Sequence, residues 1–242
     1  MSSEPRSIFV TGTDTGVGKT LVSAALLHAL ARAGHRVVGM KPVAAGLVRQ
    51  GEVWVSEDVL QLRAASNVAV PPELDNPVAL PEPLSPHLAA ARAGRPVAVA
   101  ELLAAQRALL KRADVVLVEG AGGWRVPLND HETLADLAIA MSAPVVMVVG
   151  LRLGCLNHAL LTAQAIRADG LQLAGWVGNS IDPAMACRDD NIASLERRLD
   201  APLLGVLPWL NRPEAASVEL HLPGSWRSTG DSRGLNGALN GR

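Results

Sequence analysis

Cysteine is nearly absent from this 242-residue chain. Cys155 and Cys187 are the only two, too few for a disulfide framework or a cysteine zinc site, and they fit a reducing cytoplasm. An excess of one charge is lacking as well: 23 acids and 22 bases leave a formal net charge of −1. That argues against a nucleic-acid binder working through bulk charge and leaves only local basic patches open. Long hydrophobic runs are missing. The longest uncharged apolar stretch, between Asp136 and Arg152, holds 15 residues and is interrupted by Ser142 and Pro144. A helix crossing a bilayer needs ~20. No basic–apolar–small-residue segment precedes the first motif, so the expectation is a cytoplasmic protein with no export signal and no membrane partner. What the chain does have is apolar content, 49% hydrophobic against 19% charged, enough to bury a sizeable core in one domain.

Lysine is the remaining scarcity. Against nineteen arginines there are three lysines, Lys19, Lys41 and Lys111. Two explanations stand side by side: genomic codon usage, or positions that need a compact ammonium rather than a guanidinium fork.

Short runs rich in Val, Ile and Leu alternate with amphipathic stretches. Strands are expected at Ser7–Thr11, Arg36–Lys41, Asp114–Val118, Pro144–Val149, Leu173–Val177 and Leu203–Leu207. Helices are expected at Lys19–Ala33, Glu57–Ala65, Val99–Ala113, Thr133–Met141, Asn157–Ala168 and Asn191–Leu199. Strands that are apolar throughout are covered on both faces. The rhythm predicts an α/β domain, doubly wound, with a mainly parallel sheet, helices on both faces and ligands beyond the carboxyl ends of the strands. Pro71–Pro86 breaks the rhythm and reads as an extended excursion, with Ser85-Pro86 opening the next helix. Residues 1–223 are assigned to the single domain, and the Gly/Ser-rich residues 224–242 to a mobile tail.

The strongest motif is Gly12-Thr-Asp-Thr-Gly-Val-Gly-Lys19-Thr20, directly after one strand and before a helix. Such a turn points backbone N–H groups of Asp14, Thr15, Gly16, Val17 and Gly18 at phosphate oxygens, with Lys19 on the β- and γ-phosphates and Thr20 on Mg²⁺. Five residues rather than four separate Gly12 from Gly18, so the generic pattern fits loosely; a plain glycine-rich turn is the alternative. Glu119 ends the third expected strand and precedes Gly120-Ala-Gly-Gly-Trp124, which makes it a candidate second metal anchor as against an acid at a solvated strand end. Lys41 stands at the end of the second strand on the extended backbone that Pro42 imposes; its plain alternative is a surface lysine. Asp58, opening a helix after the Leu47–Ser56 loop, is a further candidate metal ligand. Gly154-Cys155-Leu156-Asn157 begins a helix whose free N–H groups suit an anion. Cys155 reads either as a reactive thiol or, more simply, as a small buried hydrophobe; His87 and His158 read as structural.

FVTGTDTGVGKT, KPVAAG, VEGAGGWRVPL, GLRLGCLNHALLTAQAI and GVLPWL, in this order, resemble the dethiobiotin synthetases, and the similarity runs from about Ile8 to Glu214. The resemblance implies a phosphate-loop NTPase fold and an ATP- and Mg²⁺-dependent ligase that closes a cyclic urea on 7,8-diaminopelargonate with CO₂. It implies that Lys19 and Lys41 stabilise a carbamate and the transferring phosphoryl group, and that Thr20, Asp58 and Glu119 hold Mg²⁺. Asp14, Thr15, Lys41 and Ala45 would meet substrate. Gly154, Cys155, Leu156 and Asn157 would reach it from the second subunit of a homodimer. Asn179, Pro208, Trp209, Leu210 and Glu214 would surround adenine. The pattern predicts the ATP terminal phosphate and a CO₂-loaded amine between two ammonium groups at neighbouring strand ends. Three positions depart from it: Ala45 replaces a hydroxyl residue, Gly16 an acid found in some members, and Arg152 a lysine.

A rival is a partitioning-type ATPase switch. Those proteins carry an extra lysine early in the loop, where this chain has Asp14. A cobyrinate-type amidating synthetase would need a glutaminase domain for which the chain is too short.

Overall fold

The computed structural model describes residues 6–209 and 214–226. In chain order the elements are β1 (Ser7–Gly12), α1 (Lys19–Arg32), β2 (Val37–Met40), β3 (Val43–Ala45), β4 (Val48–Gln50), β5 (Val53–Val55), α2 (Glu57–Ala65), α3 (Pro72–Asp75) and β6 (Val78–Leu80). They continue with α4 (Pro86–Arg92), α5 (Val99–Leu109), β7 (Val115–Glu119), α6 (Leu134–Met141), β8 (Val145–Leu151), α7 (Cys155–Ala168), β9 (Leu173–Ser180), α8 (Arg188–Arg198) and β10 (Leu203–Leu207).

The six expected apolar runs form one parallel sheet, ordered β10-β9-β8-β1-β7-β2. Their unbroken hydrophobicity follows from burial on both faces. In β7, Val116 and Val118 join the core under α5, α6 and α7, whereas Val115 and Leu117 join the core under α1 and α2. β8 divides likewise, with Val145, Met147 and Val149 on the first side and Val146 and Val148 on the second. The fold is a doubly wound α/β domain, and the first reversal of strand order, between β1 and its two neighbours β7 and β8, puts a crevice at the carboxyl end of β1. Among the described residues no helix is long and apolar enough to cross a membrane.

Three expectations are corrected. The Leu47–Ser56 loop contains an antiparallel hairpin, β4 paired with β5. The proline-dense excursion is not extended throughout: it contains α3 and β6, and β6 pairs in parallel with β3. Its last residues open α4 as expected, with Ser85 at the N-cap position, though without a side-chain capping bond, and Pro86 in the first turn. The tail does not begin at residue 224. Gly224–Trp226 form a 3-10 turn, the Trp226 side chain is 3% exposed within the core under α1, and its carbonyl oxygen lies 3.1 Å from His35 Nε2. Residues 227–242 of the expected tail lie outside the described residues. Trp226→Ala is expected to cost about 3 kcal/mol, lowering the thermal midpoint by about 10 °C. An unchanged melting curve would return these residues to the tail.

Candidate functional site

At the carboxyl end of β1 the chain turns sharply into α1. Gly16 and Gly18 have φ of 74° and 88°, values that favour glycine. A Cβ on Gly12 would stand 2.7 Å from Val17 Cγ2 and 2.9 Å from Asp14 O, so the turn closes on itself there. No side chain caps α1, and its first-turn N–H groups remain available to an anion. Asp14 does not line the cavity described below. Its carboxylate accepts from Thr15 N at 2.7 Å and from Arg152 Nη2. Asn179, at the end of β9, donates through Nδ2 to Val17 O at 2.9 Å. One amide proton and Oδ1 therefore stay available beside the loop.

The sequence pattern puts the two ammonium groups on neighbouring strands; the sheet does not. β7 lies between β1 and β2, so the group standing between Lys19 and Lys41 is Glu119, the last residue of β7. Glu119 is fully buried and Lys41 is 5% exposed, which removes both plain alternatives, the solvated acid and the surface lysine. Lys41 Nζ donates to Glu119 Oε1 at 2.6 Å and to Asp58 Oδ2 at 2.8 Å. Thr20 Oγ1 lies 2.8 Å from Asp58 Oδ1 and 3.0 Å from Glu119 Oε1. Lys19 Nζ donates to Asp14 O at 3.0 Å.

These charges shape one another. Burial pushes the Lys19 ammonium down, and the positive charge of Lys41 pushes it further, to about 8 despite Glu119, Asp58 and Asp14. Burial acts the same way on Lys41, but Glu119 and Asp58 outweigh it and hold that ammonium above the ordinary lysine value. Burial raises the Asp58 carboxyl, yet the charge of Lys41 and the bonds from Lys41 and Thr20 bring it below the usual carboxylate range.

A magnesium ion takes hard oxygen donors, typically one or two carboxylates plus phosphates and water. Thr20, Asp58 and Glu119 bring a hydroxyl and two carboxylates together, and Glu119 Oε2 is buried with no hydrogen-bond partner among the described residues. The donor set fits.

Above it opens a cavity of about 780 Å³. Thr15, Gly16, Gly18, Lys19, Thr20, Lys41, Ala45, Asp58 and Glu119 all line it, so most sequence candidates converge. Val43, Leu84 and Val126 make one wall apolar. Gly154, Cys155, Leu156 and Asn157 do not line it. Cys155 is 2% exposed and packs in the core, as the structural reading has it, and Asn157 is exposed at the start of α7. Pro208, Trp209 and Glu214 are exposed, and Leu210 lies outside the described residues.

Sequence reasoning missed the groups that aim Lys41. Its N–H donates to Asp75 O at 2.8 Å and its carbonyl accepts from Asn76 Nδ2 at 2.8 Å. Asp75 is anchored in turn by Arg63, through Nε at 2.7 Å and Nη2 at 2.6 Å. The Asp-Asn pair closing a Pro-Pro turn was the available signal. Asp169 is a second missed residue: it accepts from Trp124 Nε1 and Arg125 Nη2, both at 2.7 Å, and so fixes the loop that follows Glu119.

Comparison with known proteins agrees with the fold. The FtsY structure from Thermotoga maritima superimposes with a TM-score of 0.52 at 17% identity, over 93% of this chain and 68% of that one. Chloroplast FtsY from Physcomitrella patens gives 0.56 at 20% identity, over 93% and 65%. The septum site-determining protein MinD from Pyrococcus horikoshii, complexed with Mg-ADP, gives 0.52 at 20% identity, over 84% and 81%. At such identities the likeness is one of fold, and the chain spans about two thirds of the FtsY chains. A family model described as an AAA domain matches residues 6–217. With its phosphate loop opening from β1 and a mainly parallel sheet behind it, the chain is a P-loop NTPase-type domain and belongs to the AAA domain family AAA_26.

Proposed function

We propose that this chain is a dethiobiotin synthetase, closing a cyclic urea on 7,8-diaminopelargonate with CO₂ and ATP to give dethiobiotin, ADP and phosphate. One observation carries the reading. A single cavity unites two buried lysines, a hydroxyl–carboxylate set and an apolar wall, while the third lysine, Lys111, is exposed. The sequence motifs that resemble this family supply the substrate.

The chemistry balances without a protein nucleophile. An uncharged substrate amine adds to CO₂, and loss of its proton leaves a carbamate. A carbamate oxygen attacks the γ-phosphorus as ADP departs. The second amine, also uncharged, then attacks the carbonyl carbon, the C–O bond to phosphate breaks, and the proton lost from that nitrogen leaves with the phosphate. The negative charge that gathers on this route gathers on oxygen, so what lowers the barrier is fixed positive charge, orientation and exclusion of water. Lys19 meets the β- and γ-phosphates at the start of α1. Lys41, across Glu119 from it, faces the carbamate and the transferring phosphoryl group. Thr20, Asp58 and Glu119 would hold Mg²⁺, which would supply positive charge to the phosphate oxygens. Val43, Leu84 and Val126 accept the alkyl chain. Ala45, in the same lining, offers no hydroxyl, so a substrate oxygen there bonds water instead.

For adenine, Asn179 offers its remaining amide proton and Oδ1, and the family resemblance adds Pro208, Trp209, Leu210 and Glu214. For the distal carboxylate, Gly154–Asn157 belong to a second copy of the chain. Leu153 and Leu161, 95% and 57% exposed beside that segment, supply an apolar surface for the homodimer.

A partitioning-type ATPase switch is the second reading, favoured by the fold likeness to MinD. The experiment that separates them omits each reactant in turn, with mass detection of dethiobiotin and assay of phosphate. Phosphate release should require both the diamine and bicarbonate. Hydrolysis indifferent to the diamine would replace the ligase reading with the switch.

A further inference from the structure

Two cations have a claim on the same two carboxylates. The Lys41 ammonium donates to Asp58 Oδ2 and Glu119 Oε1, one oxygen from each of the two carboxylates in the metal donor set. Thr20 Oγ1 lies within hydrogen-bond distance of the same two carboxylates, and Glu119 Oε1 is shared between it and Lys41. Even on the oxygens that Lys41 leaves, Glu119 Oε2 and Asp58 Oδ1, a divalent ion would face the ammonium across each carboxylate, and like charges that close in a buried site repel strongly. The lysine has somewhere to go, because its side chain lines the cavity. Its backbone has not, being held by Asp75 O and Asn76 Nδ2. Only the four-carbon stem can turn.

We propose that Lys41 is the resident counter-ion of the metal seat, and that a divalent cation entering with nucleotide displaces its ammonium from the carboxylates into the cavity. The inference rests on the metal donor set of the proposed function. It adds that one charge does two jobs in succession: it neutralises Asp58 and Glu119 first, and afterwards serves the phosphoryl group. Its consequence is coupling. The protein without nucleotide binds divalent cations weakly, and the second ammonium reaches the reacting centre only when the first substrate is loaded.

The probe is Mn²⁺, titrated without nucleotide and followed by electron paramagnetic resonance of the free ion. Lys41→Met is expected to bind Mn²⁺ at least about tenfold more tightly than the wild type, because the competing cation is gone. Lys41→Arg keeps the charge and should stay weak. Should Lys41→Met fail to fold, the wild type decides. With three lysines in the chain, ¹⁵N-lysine labelling gives a side-chain ammonium spectrum simple enough to assign, the Lys41 signal being the one missing from Lys41→Arg. Mg-ADP should shift that signal. Equal or weaker Mn²⁺ binding by a folded Lys41→Met, or a Lys41 signal indifferent to Mg-ADP, overturns the proposal. Neither measurement contains the diamine. Absence of dethiobiotin formation would therefore sink the ligase reading alone, and these results would sink the exchange alone.

Discussion

Lys41→Ala is expected to reduce dethiobiotin formation by about two to three orders of magnitude, the usual consequence of deleting one preorganised charge from a water-poor site. ATP affinity, measured calorimetrically with Mg²⁺ present, should fall by no more than about threefold, because the phosphate loop and Lys19 are untouched, and it rises if removal of the Lys41 ammonium frees the metal seat. The split matters. Lys41 lies within bonding distance of two carboxylates, so a merely structural role predicts a different pattern: a lower thermal midpoint, with turnover per folded molecule preserved. Breaking a buried pair from one side costs about 3–5 kcal/mol, so melting curves taken with and without Mg²⁺ belong in the same experiment. Turnover within tenfold of wild type in a fully folded variant would remove Lys41 from the chemistry.

Gly18→Ala is expected to reduce nucleotide affinity at least about 100-fold, a loss of about 3 kcal/mol. Two physical terms combine. Gly18 holds φ at 88°, a conformation costing an L side chain about 1–2 kcal/mol. Its Cβ would also sit 2.2 Å from Asn179 Nδ2, forcing that amide off the Val17 carbonyl and disturbing the loop and the end of β9 together. Gly34→Ala is the matched control. Gly34 has φ of 93° with nothing within 4 Å of the added methyl, and it follows α1 away from the cavity. It should lose stability by the backbone term and keep its nucleotide affinity. Equal nucleotide binding by both variants would mean that contact with Asn179 is irrelevant to the loop.

The doubly wound sheet was legible because burial on two faces writes itself into consecutive residues: Val115 to Val118 alternate between two cores, yet all four must be apolar. The phosphate loop was legible because its glycines, lysine and threonine are contiguous. β3, β4, β5 and β6 were not, since three-residue strands carry too little pattern and β3 finds its partner 35 residues along, Val43 opposite Val78. Lys41 could be suspected from the scarcity of lysine, but its carboxylate partners are 17 and 78 residues away. Whether β1 and β2 adjoin is a question of topology rather than of local sequence, and there the sequence pattern misled. The groups that hold Lys41 in place, Asp75 and Asn76, lie in the stretch whose prolines suggested only an excursion.

The order of the sheet has a metrical consequence. Adjacent strands stand about 4.8 Å apart, so the strands that lead to Lys19 and Lys41, with one strand interposed, are held about 10 Å apart by two ladders of backbone hydrogen bonds. The strand that ends in Glu119 lies midway between them. Side-chain rotation, and for Lys19 the loop between β1 and α1, can vary how the two positive groups approach, but the gauge of the strands behind them belongs to the main chain. A substitution that slipped one ladder by a residue would displace the acid by about 3.3 Å along its strand and leave every participant present but out of step.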